Sequence, residues 1–485
     1  MTISIILFIF CTLILVWIAN RHAYKSDLPL IISGWIIKCI VGLTFIYVYT
    51  YYYGNGTLSQ DSGAYFREAE ILAQIKNKNS TDFYSILFEK EDGEKLIAKY
   101  FEKNPNSRIS RPSIGINDTR IHIKFISVVM LFIGVNYLSI FILFFFLSYL
   151  GILLLWFKLK NKVNIHPAFS LGLLLLPPNL LFWTSSNLKE VMFILGLCLL
   201  LTFYLSNKKY LKSVFFGTVG LLLLSLFKPI LLVILFINWG FVQLIYRGVL
   251  QKKRVYLAIF ISCVALLFLF SIPNKALQKL SDKQFDFTNV ARGGIQVRGD
   301  TSFYYISSEY ENKVNIIDSV VFLKEAITVV SNLFGKIRNE TELVLRPNDE
   351  KLTLVYEQTG GRSSFEITPI NNSWENLIKA SPYAFLNAFF RPYFWENGYS
   401  KINLFFFLEN IFFFVLFIYA MFHFKKVRKR HYNLALICFL TILSLSFIIG
   451  ITTPISGAIV RYRIPIQLLI IIVFLLTKIK HEQAK

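Results

Sequence analysis

Two acidic residues stand at the edges of long apolar runs, where a carboxylate can meet both lipid and water. Asp61 opens the stretch DSGAYFREA, and Glu190 ends the stretch SSNLKE. A carboxylate at such a boundary can take a proton from an acceptor hydroxyl. Each acid also has a simpler explanation. Asp61 or Ser62 would cap a helix beginning near Gly63, and Glu190 would suit the first turn of its own helix.

Four cations lie in very short loops on the side of the membrane that is otherwise poor in basic residues: Lys189, Lys228, Arg461 and Arg463. Short loops on the outer side normally avoid Lys and Arg, so these four need an explanation. If the helices bring them together, they form an anion site suited to the phosphate or pyrophosphate of a lipid headgroup. The alternative is that each side chain separately reaches the surrounding lipid phosphates.

Metal and disulfide chemistry receive little support from the cysteines and histidines. All five cysteines fall inside apolar runs without C-x-x-C spacing, which argues against a disulfide framework and a zinc site. Of six histidines, only His122 lies in a segment predicted on the outer side of the membrane, so a histidine-rich metal site is not expected. The sequence leaves open that carboxylates bind a divalent cation.

The elements that must position these residues are membrane helices. Of 485 residues, 55% are hydrophobic and 16% charged, and the mean hydropathy of +0.54 excludes an ordinary cytosolic globule or a disordered chain. The first run lacks a basic start and a small-residue cleavage site, so it is interpreted as a span rather than a signal peptide. Runs of about 20 apolar residues predict about eleven spans: 2–19, 28–52, 136–157, 167–184, 190–206, 211–227, 230–247, 255–272, 402–422, 433–450 and 463–478.

The basic residues predict the orientation of these spans. Alternate loops are rich in Lys and Arg and account for most of the net charge of +22. Because short basic loops stay in the cytoplasm, the N-terminus is predicted outside and the C-terminus in the cytoplasm. The charge is then a topology signal, and nucleic-acid binding is not expected.

The predicted spans divide the chain into five parts. Residues 1–52 hold two spans, 53–135 form a first outer loop, 136–272 hold six spans, 273–401 form an outer insertion, and 402–485 hold three spans and a cytoplasmic tail.

The two long segments carry their own elements. In the first, 63–77 and 121–134 have helical apolar spacing and are interpreted as helices at the outer interface. In the second, 315–334 and 373–390 are helix-like, whereas ELVLRP, LTLVYE and SFEITPI are strand-like, which indicates a small α+β insertion.

Together, these motifs resemble the GT-C superfamily of membrane glycosyltransferases, in particular bacterial relatives of the protein mannosyltransferases. The family's first outer loop reads D-x-x-x-Y-x-x-x-A, matched here by Asp61, Tyr65 and Ala69. The resemblance implies that Asp61 is the catalytic base. The family's second acidic position corresponds to Glu190, preceded by Lys189, with Glu where several relatives have Asp.

Two further motifs extend the resemblance to roughly residues 30–475. Arg461-Tyr462-Arg463-Ile464-Pro465 is similar to the family's last outer loop, which reads R-Y-x-x-P and whose arginines face the carrier phosphate. RPYFWEN, which begins at Arg391, resembles a juxtamembrane motif of polysaccharide-related members. Its alternative explanation is an aromatic belt at the membrane interface.

The resemblance implies an all-α polytopic membrane protein with about 11 transmembrane helices, outer juxtamembrane helices and a small α+β extracytoplasmic insertion. The expected activity is inverting transfer of a sugar or oligosaccharide from a polyprenyl-(pyro)phosphate donor to a glycan, lipid or protein acceptor, at the outer face of the bacterial cytoplasmic membrane. Catalysis is assigned to Asp61 and Glu190. Donor and acceptor binding are assigned to a second set: Tyr65, Lys189, Lys228, Arg391, Arg461, Tyr462 and Arg463.

Two other functions stay open. A surface-polysaccharide polymerase or ligase would use the same chemistry on larger substrates. A flippase or other transporter of lipid-linked sugars would place its charges near the middle of the bilayer, whereas the main charge inside a run here, Lys38, lies toward the cytoplasmic half.

Overall fold

The fold is described from a computed structural model. It covers residues 2–22, 27–54, 56–101, 107–110, 117–206, 211–245, 272–292, 295–298, 301–306, 312–317, 320–331, 341–347, 352–356, 363–396 and 401–480. The chain divides into two compact units. Unit 1 comprises Met1–Phe236, Leu416–Phe439 and Gln467–Lys485, and unit 2 comprises Ile237–Val415 and Leu440–Ile466.

Helices account for most of the described chain before residue 293. They are α1 (Thr2–His22), α2 (Leu28–Tyr47, continued by a π turn at Val48–Tyr52), α3 (Gln60–Lys78), α4 (Ser80–Leu87), α5 (Gly93–Phe101), α6 (Asp118–Ile133), α7 (Tyr137–Leu159), α8 (Pro167–Leu175), α9 (Pro178–Trp183), α10 (Lys189–Leu205), α11 (Leu211–Phe227), α12 (Pro229–Ile245) and α13 (Ile272–Arg292). The predicted helices at 63–77 and 121–134 are confirmed as α3 and α6.

Strands and further helices follow. The strands are β1 (Ile295–Arg298), β2 (Thr301–Ile306), β3 (Val314–Ile317), β4 (Val320–Leu323), β5 (Ile327–Ser331), β6 (Thr341–Leu345) and β7 (Leu352–Tyr356). The helices are α14 (Trp374–Phe390), α15 (Lys401–Phe422), α16 (Lys429–Thr452), α17 (Ser456–Tyr462) and α18 (Ile464–Thr477). The chain is therefore a mainly helical membrane protein with short strands in one segment.

Five of the described helices are long and apolar enough to cross a membrane: α1, α2 with its π turn, α7, α15 and α16. The pair α17 and α18, bent by 42°, adds a sixth if it forms one span. Two more, α11 and α12, are apolar but shorter. These helices make the chain a multi-pass membrane protein. The predicted span at 255–272 lies almost entirely outside the described residues.

The predicted span at 167–184 is two short helices in the structure. α8 ends at Leu175 with Leu176 as its C-cap, and α9 begins at Pro178. Pro177 and Pro178 have no backbone N–H, and each disfavours helical geometry in the residue before it. The two prolines therefore break the run although its hydrophobicity is continuous.

Burial separates central helices from peripheral ones. Most residues of α7 and α10 are buried, as expected for helices that are apolar on every face. In contrast, α1 exposes a row of large apolar side chains that includes Ile6, Leu13 and Trp17. An apolar face of this kind is suited to lipid and not to water.

Small residues allow two helices of unit 1 to approach closely. A Cβ atom on Gly220 of α11 would lie 2.8 Å from the carbonyl oxygen of Gly196 in α10. Close backbone contact through glycines is typical of packing between membrane helices.

The strands of unit 2 form three small sheets. β1 pairs with β2 in antiparallel fashion and β2 with β7 in parallel, β3 pairs with β4, and β5 pairs with β6. The predicted strands ELVLRP and LTLVYE correspond to β6 and β7, and the predicted helix at 373–390 corresponds to α14.

The helix predicted at 315–334 is wrong, because β3, β4 and β5 occupy this region. Its sequence is rich in β-branched Val and Ile, which favour strands over helices. SFEITPI is not a strand either, apart from a single bridge between Ser364 and Ile455. Instead, the buried Gln284 of α13 fixes this stretch, donating to the carbonyl of Thr368 and accepting from the N–H of Ile370.

Candidate functional site

The backbone turn in front of α3 fixes Asp61 at the start of that helix. Ser59 donates from its hydroxyl to the carbonyl of Tyr49 at 2.7 Å, and Gln60 adopts a φ of 54°. A non-glycine residue in the left-handed region is uncommon and is found preferentially at functional positions. The helix begins at Gln60 with Ser59 as its N-cap, so Asp61 lies in the first turn and is not the cap.

Gly63 allows this turn to fold back onto the helix. A Cβ atom at Gly63 would lie 1.8 Å from the carbonyl oxygen of Leu58. The same carbonyl accepts a hydrogen bond of 2.7 Å from Arg67, one turn further along. The position of Asp61 therefore depends on a glycine two residues later.

A short stretch at 107–110 brings a cation to Asp61. The Arg108 Nε lies 3.4 Å from the Asp61 Oδ1, and the Asp61 side chain keeps 31% of its surface exposed. The buried Glu68, two turns along α3, accepts from the backbone N–H groups of Arg108 and Ile109 at 2.6 and 2.7 Å. One helix thus presents the acid and also anchors the arginine beside it.

Asn187 connects the start of α3 to the loop before α10. The Ser62 hydroxyl donates to the side-chain oxygen of Asn187, whose amide donates to the Ser62 carbonyl at 3.0 Å. The Asn187 carbonyl in turn lies 2.7 Å from Nε2 of the buried His122 in α6. Because a carbonyl can only accept, Nε2 carries the proton. Three separate segments therefore meet at one asparagine.

Lys189 and Asp118 form an ion pair next to this connection. The ammonium lies 2.9 Å from Asp118 Oδ1 and donates to the Thr119 hydroxyl at 3.0 Å. Burial by itself would raise the pKa of Asp118, but the charges of Lys189 and Lys228 and the hydrogen bond from Thr119 hold it below its usual value. Burial opposes the charge of Lys189, yet Tyr65, Asp118 and Glu190 raise its pKa. Both groups are therefore charged at neutral pH.

We call the set Asp61, Arg108, Asp118, Lys189 and Lys228 the Asp61 cluster. All of its members belong to unit 1, as do the other predicted residues Tyr65 and Glu190. Tyr65 is buried with its ring centroid 5.3 Å from that of His122, and Glu190 is buried in the first turn of α10. The Lys228 ammonium lies 5.5 Å from the centre of the Phe193 ring.

Four residues around Asp61 are not among the sequence-predicted site residues: Arg108, Asp118, His122 and Asn187. The sequence does indicate Asp118 as part of a helix start, because Asn117 caps α6 and an acid in the next position is favourable there. Arg108 is held beside Asp61 by contacts of its stretch with Glu68 and Arg120, which no local pattern indicates.

Arg391 in unit 2 is held within its own motif. Its guanidinium forms an ion pair with Glu396, donates from Nε to Asn387 Oδ1 at 2.8 Å, and lies 3.4 Å from the centre of the Phe365 ring. Glu396 also accepts from the Ser456 hydroxyl at 3.1 Å. Residues 391–396 thus join α14 to α17 through the contacts of Arg391 and Glu396.

Arg463 in unit 2 points into the protein. It is only 3% exposed, and its two terminal amino groups donate to the Asn410 side chain and to the Arg391 carbonyl. These contacts favour a positioning role for Arg463, which holds the Asn410 side chain and the Arg391 carbonyl. They do not favour the direct contact with a phosphate that the resemblance implies. Arg461 and Tyr462 are half-buried, and the Tyr462 ring packs on Phe287 at 6.3 Å.

Lys38 is buried completely in α2. Its ammonium donates to the hydroxyls of Thr184 and Ser185 at 2.8 and 3.3 Å. These residues begin the loop that carries Asn187 and leads to Lys189 at the start of α10. Lys38 therefore anchors this loop from inside the bundle.

No group of three or more His, Cys, Asp or Glu side chains able to hold a metal ion occurs in the part of the chain that the structure describes. The Asp61 cluster offers instead a partly exposed carboxylate that can act as a base, accompanied by the acidic and basic side chains of the cluster. Comparison of the chain with protein-family models, curated proteins and solved structures gave no match.

Proposed function

We propose that the chain is an inverting membrane glycosyltransferase of the GT-C type. It transfers a sugar or oligosaccharide from a polyprenyl-(pyro)phosphate donor to an extracytoplasmic acceptor during synthesis of cell-envelope glycans or glycoconjugates. One observation carries the proposal: Asp61 is a partly exposed carboxylate, fixed by a strained turn and placed 3.4 Å from Arg108. The resemblance of DSGAYFREA to the family's first outer loop supports the same role.

In this reaction, Asp61 accepts the proton of an acceptor hydroxyl while the hydroxyl oxygen attacks the anomeric carbon of the donor sugar. The bond between that carbon and the phosphate oxygen breaks, and its electron pair stays on the phosphate. A single displacement of this kind inverts the configuration. General-base assistance contributes about 10²–10⁴-fold in other enzymes.

The leaving phosphate requires positive charge that is in place before the reaction. Lys189 is committed to Asp118 at 2.9 Å, so it orders the site and is less suited to a ligand. Lys228 is assigned to the leaving phosphate, because it is a cation in a short loop whose charge reaches Asp118 of the cluster and whose ammonium lies 5.5 Å from the centre of the Phe193 ring. Phosphate binding by Arg461, implied by the resemblance, stays a prediction, and Glu190 is assigned to the acceptor or to a divalent cation.

One observation favours a transporter of lipid-linked sugars as the second candidate. The completely buried Lys38 lies inside a predicted span, and charges at such depth are typical of transport pathways. We nevertheless prefer an enzyme, because the carboxylate beside Arg108 lies outside the spans and transport alone gives it no role. A polymerase or ligase would differ from a single-sugar transferase only in forming a polymeric product.

The test is sugar transfer by the full-length chain in liposomes that contain a polyprenyl-phosphate sugar and an acceptor. Asp61→Asn keeps the shape of the side chain but removes the base, so we expect transfer to fall to background. Glu70→Gln on the same helix is the matched control and should retain activity. Both variants should melt at the wild-type temperature. Full transfer by Asp61→Asn would refute the assignment, and movement of labelled donor across the bilayer without any product would favour the transporter.

A further inference from the structure

A cavity of about 500 Å³ lies in unit 1, away from the Asp61 cluster, where α7 turns into α8. Polar and basic side chains form much of its lining, among them Lys160, Asn161, Asn164, His166 and Lys480. The sequence predicts this end of the protein to be cytoplasmic. The proposed sugar transfer makes no use of it.

The cavity is built by a contact between two distant parts of the chain. Val163 and Ile479 form an antiparallel bridge, flanked by hydrogen bonds from Asn164 N–H to the Lys478 carbonyl at 2.7 Å and from Lys480 N–H to the Lys162 carbonyl at 2.8 Å. The end of α18 is thereby fixed beside the loop between α7 and α8. Lys480 therefore belongs to a formed wall of the cavity.

Lys160 is fixed at the base of this wall. Its ammonium forms an ion pair of 2.5 Å with Asp27 and lies 5.0 Å from the centre of the Trp156 ring. The side chain is almost fully buried. On the other side, α8 begins at Pro167, which lines the cavity, so the positive end of the helix dipole adds to the local field.

Three basic segments of unit 1 are joined by hydrogen bonds, and the first and third of them line the cavity: 158–162, 424–430 and 478–480. None of them contains Asp or Glu. Arg428 donates to the Lys480 carbonyl, which ties the second segment to the third. Burial and the nearby charges of Arg430 and Lys158 lower the pKa of Lys162. Cations held this close raise the potential at the cavity and favour an anion.

We propose that this cavity binds a phosphate group and that its occupant is the phosphodiester headgroup of an anionic membrane lipid. Phosphate is the shared chemistry of a lipid headgroup and a free phosphate. The lipid is favoured because an exposed apolar side chain follows the lining in the first turn of α8: Phe169, two residues after Pro167, is 56% exposed. Acyl chains can lie along this surface while the headgroup enters the basic cavity, as in basic pockets between membrane helices elsewhere.

The experiment compares lipids retained by the full-length chain in native mass spectrometry, after purification in detergent with phosphatidylglycerol or phosphatidylcholine. We expect selective retention of phosphatidylglycerol. Lys480→Gln removes an exposed charge that lines the cavity and should weaken retention about fivefold, the effect of one lysine near an anionic surface. Lys212→Gln is the matched control, because it removes an exposed positive charge from the side predicted to be cytoplasmic and belongs to none of the three basic segments.

Three results would overturn the proposal. Equal retention of the two lipids, or equal weakening by both variants, would show only the diffuse attraction of basic loops for the membrane. A rise in melting temperature with inorganic phosphate alone that is lost in Lys480→Gln, without selective lipid retention, would make the occupant a soluble anion. These readouts do not involve sugar transfer, so the lipid site and the glycosyltransferase proposal are tested separately.

Discussion

His122 links α6 to the Asn187 loop, and its burial makes the surroundings of Asp61 sensitive to acid. Burial lowers its pKa to about 4 from an unfolded value of about 6.5. The unfolded chain then binds more protons than the folded chain between these values. Stability is therefore complete above about pH 6.5 and is lost as the pH falls toward 4. The shift corresponds to a loss on the order of 3 kcal/mol.

His122→Gln tests this link in detergent. Glutamine keeps a donor for the Asn187 carbonyl but does not titrate, so its melting temperature should vary less than that of the wild type between pH 7 and pH 4.5. The measurement is a thermal melt at several pH values. Identical pH profiles for the two proteins would remove His122 as the source of the acid sensitivity.

Single residues also show what the sequence can and cannot predict about the site. Asp61 and Glu190 are recognisable because an acid at the edge of an apolar run is unusual, and Lys228 because it is a cation in a short loop. Arg108 and Asn187 act through contacts with α3 from distant positions in the chain. Such contacts have no local periodicity, so only the folded structure shows them.

The turn before α3 depends on Gly63 because the helix and the Leu58 carbonyl approach more closely than any side chain permits. Gly63→Ala must displace this turn and Asp61 with it. We expect a loss of about 1–3 kcal/mol, typical of overpacking, together with loss of transfer activity. Gly240→Ala in α12 is the control, because its new methyl group would have open space. Unchanged melting and transfer in Gly63→Ala would show that the turn does not position Asp61.

Helices and strands differ in how far hydrophobicity predicts them. Long apolar runs predict α1, α7 and α15 close to their observed bounds, because a chain that crosses lipid requires an uninterrupted helix. The strands β3 to β5 lie where apolar spacing predicts a helix, because apolar residues in a short stretch can fit both the helical and the strand period. In this region, the high content of β-branched Val and Ile predicts strands better than apolar spacing does.

The charge pattern of the whole chain predicts that the loop between α4 and α5 and the loop between α15 and α16 face opposite sides of the membrane. The first contains the exposed Glu91, and the second contains Lys426 among several cations. Basic loops are retained in the cytoplasm, so the side that holds Lys426 should be inside. Asp61 would then face the outer compartment, where lipid-linked sugars are used, and the basic cavity would face the cytoplasmic leaflet with its anionic lipids.

Single cysteines test this orientation in a background from which the native cysteines have been removed. We expect a membrane-impermeant maleimide to label Glu91→Cys in intact cells and Lys426→Cys only after the membrane is opened. Labelling of both in intact cells would place the two loops on the same side and would require an even number of spans between them. The reversed pattern would place Asp61 in the cytoplasm. The positions of Asp61 outside and of the basic cavity inside both follow from the basic loops. The reversed pattern would therefore contradict the proposed side of sugar transfer and the proposed side of the lipid site together.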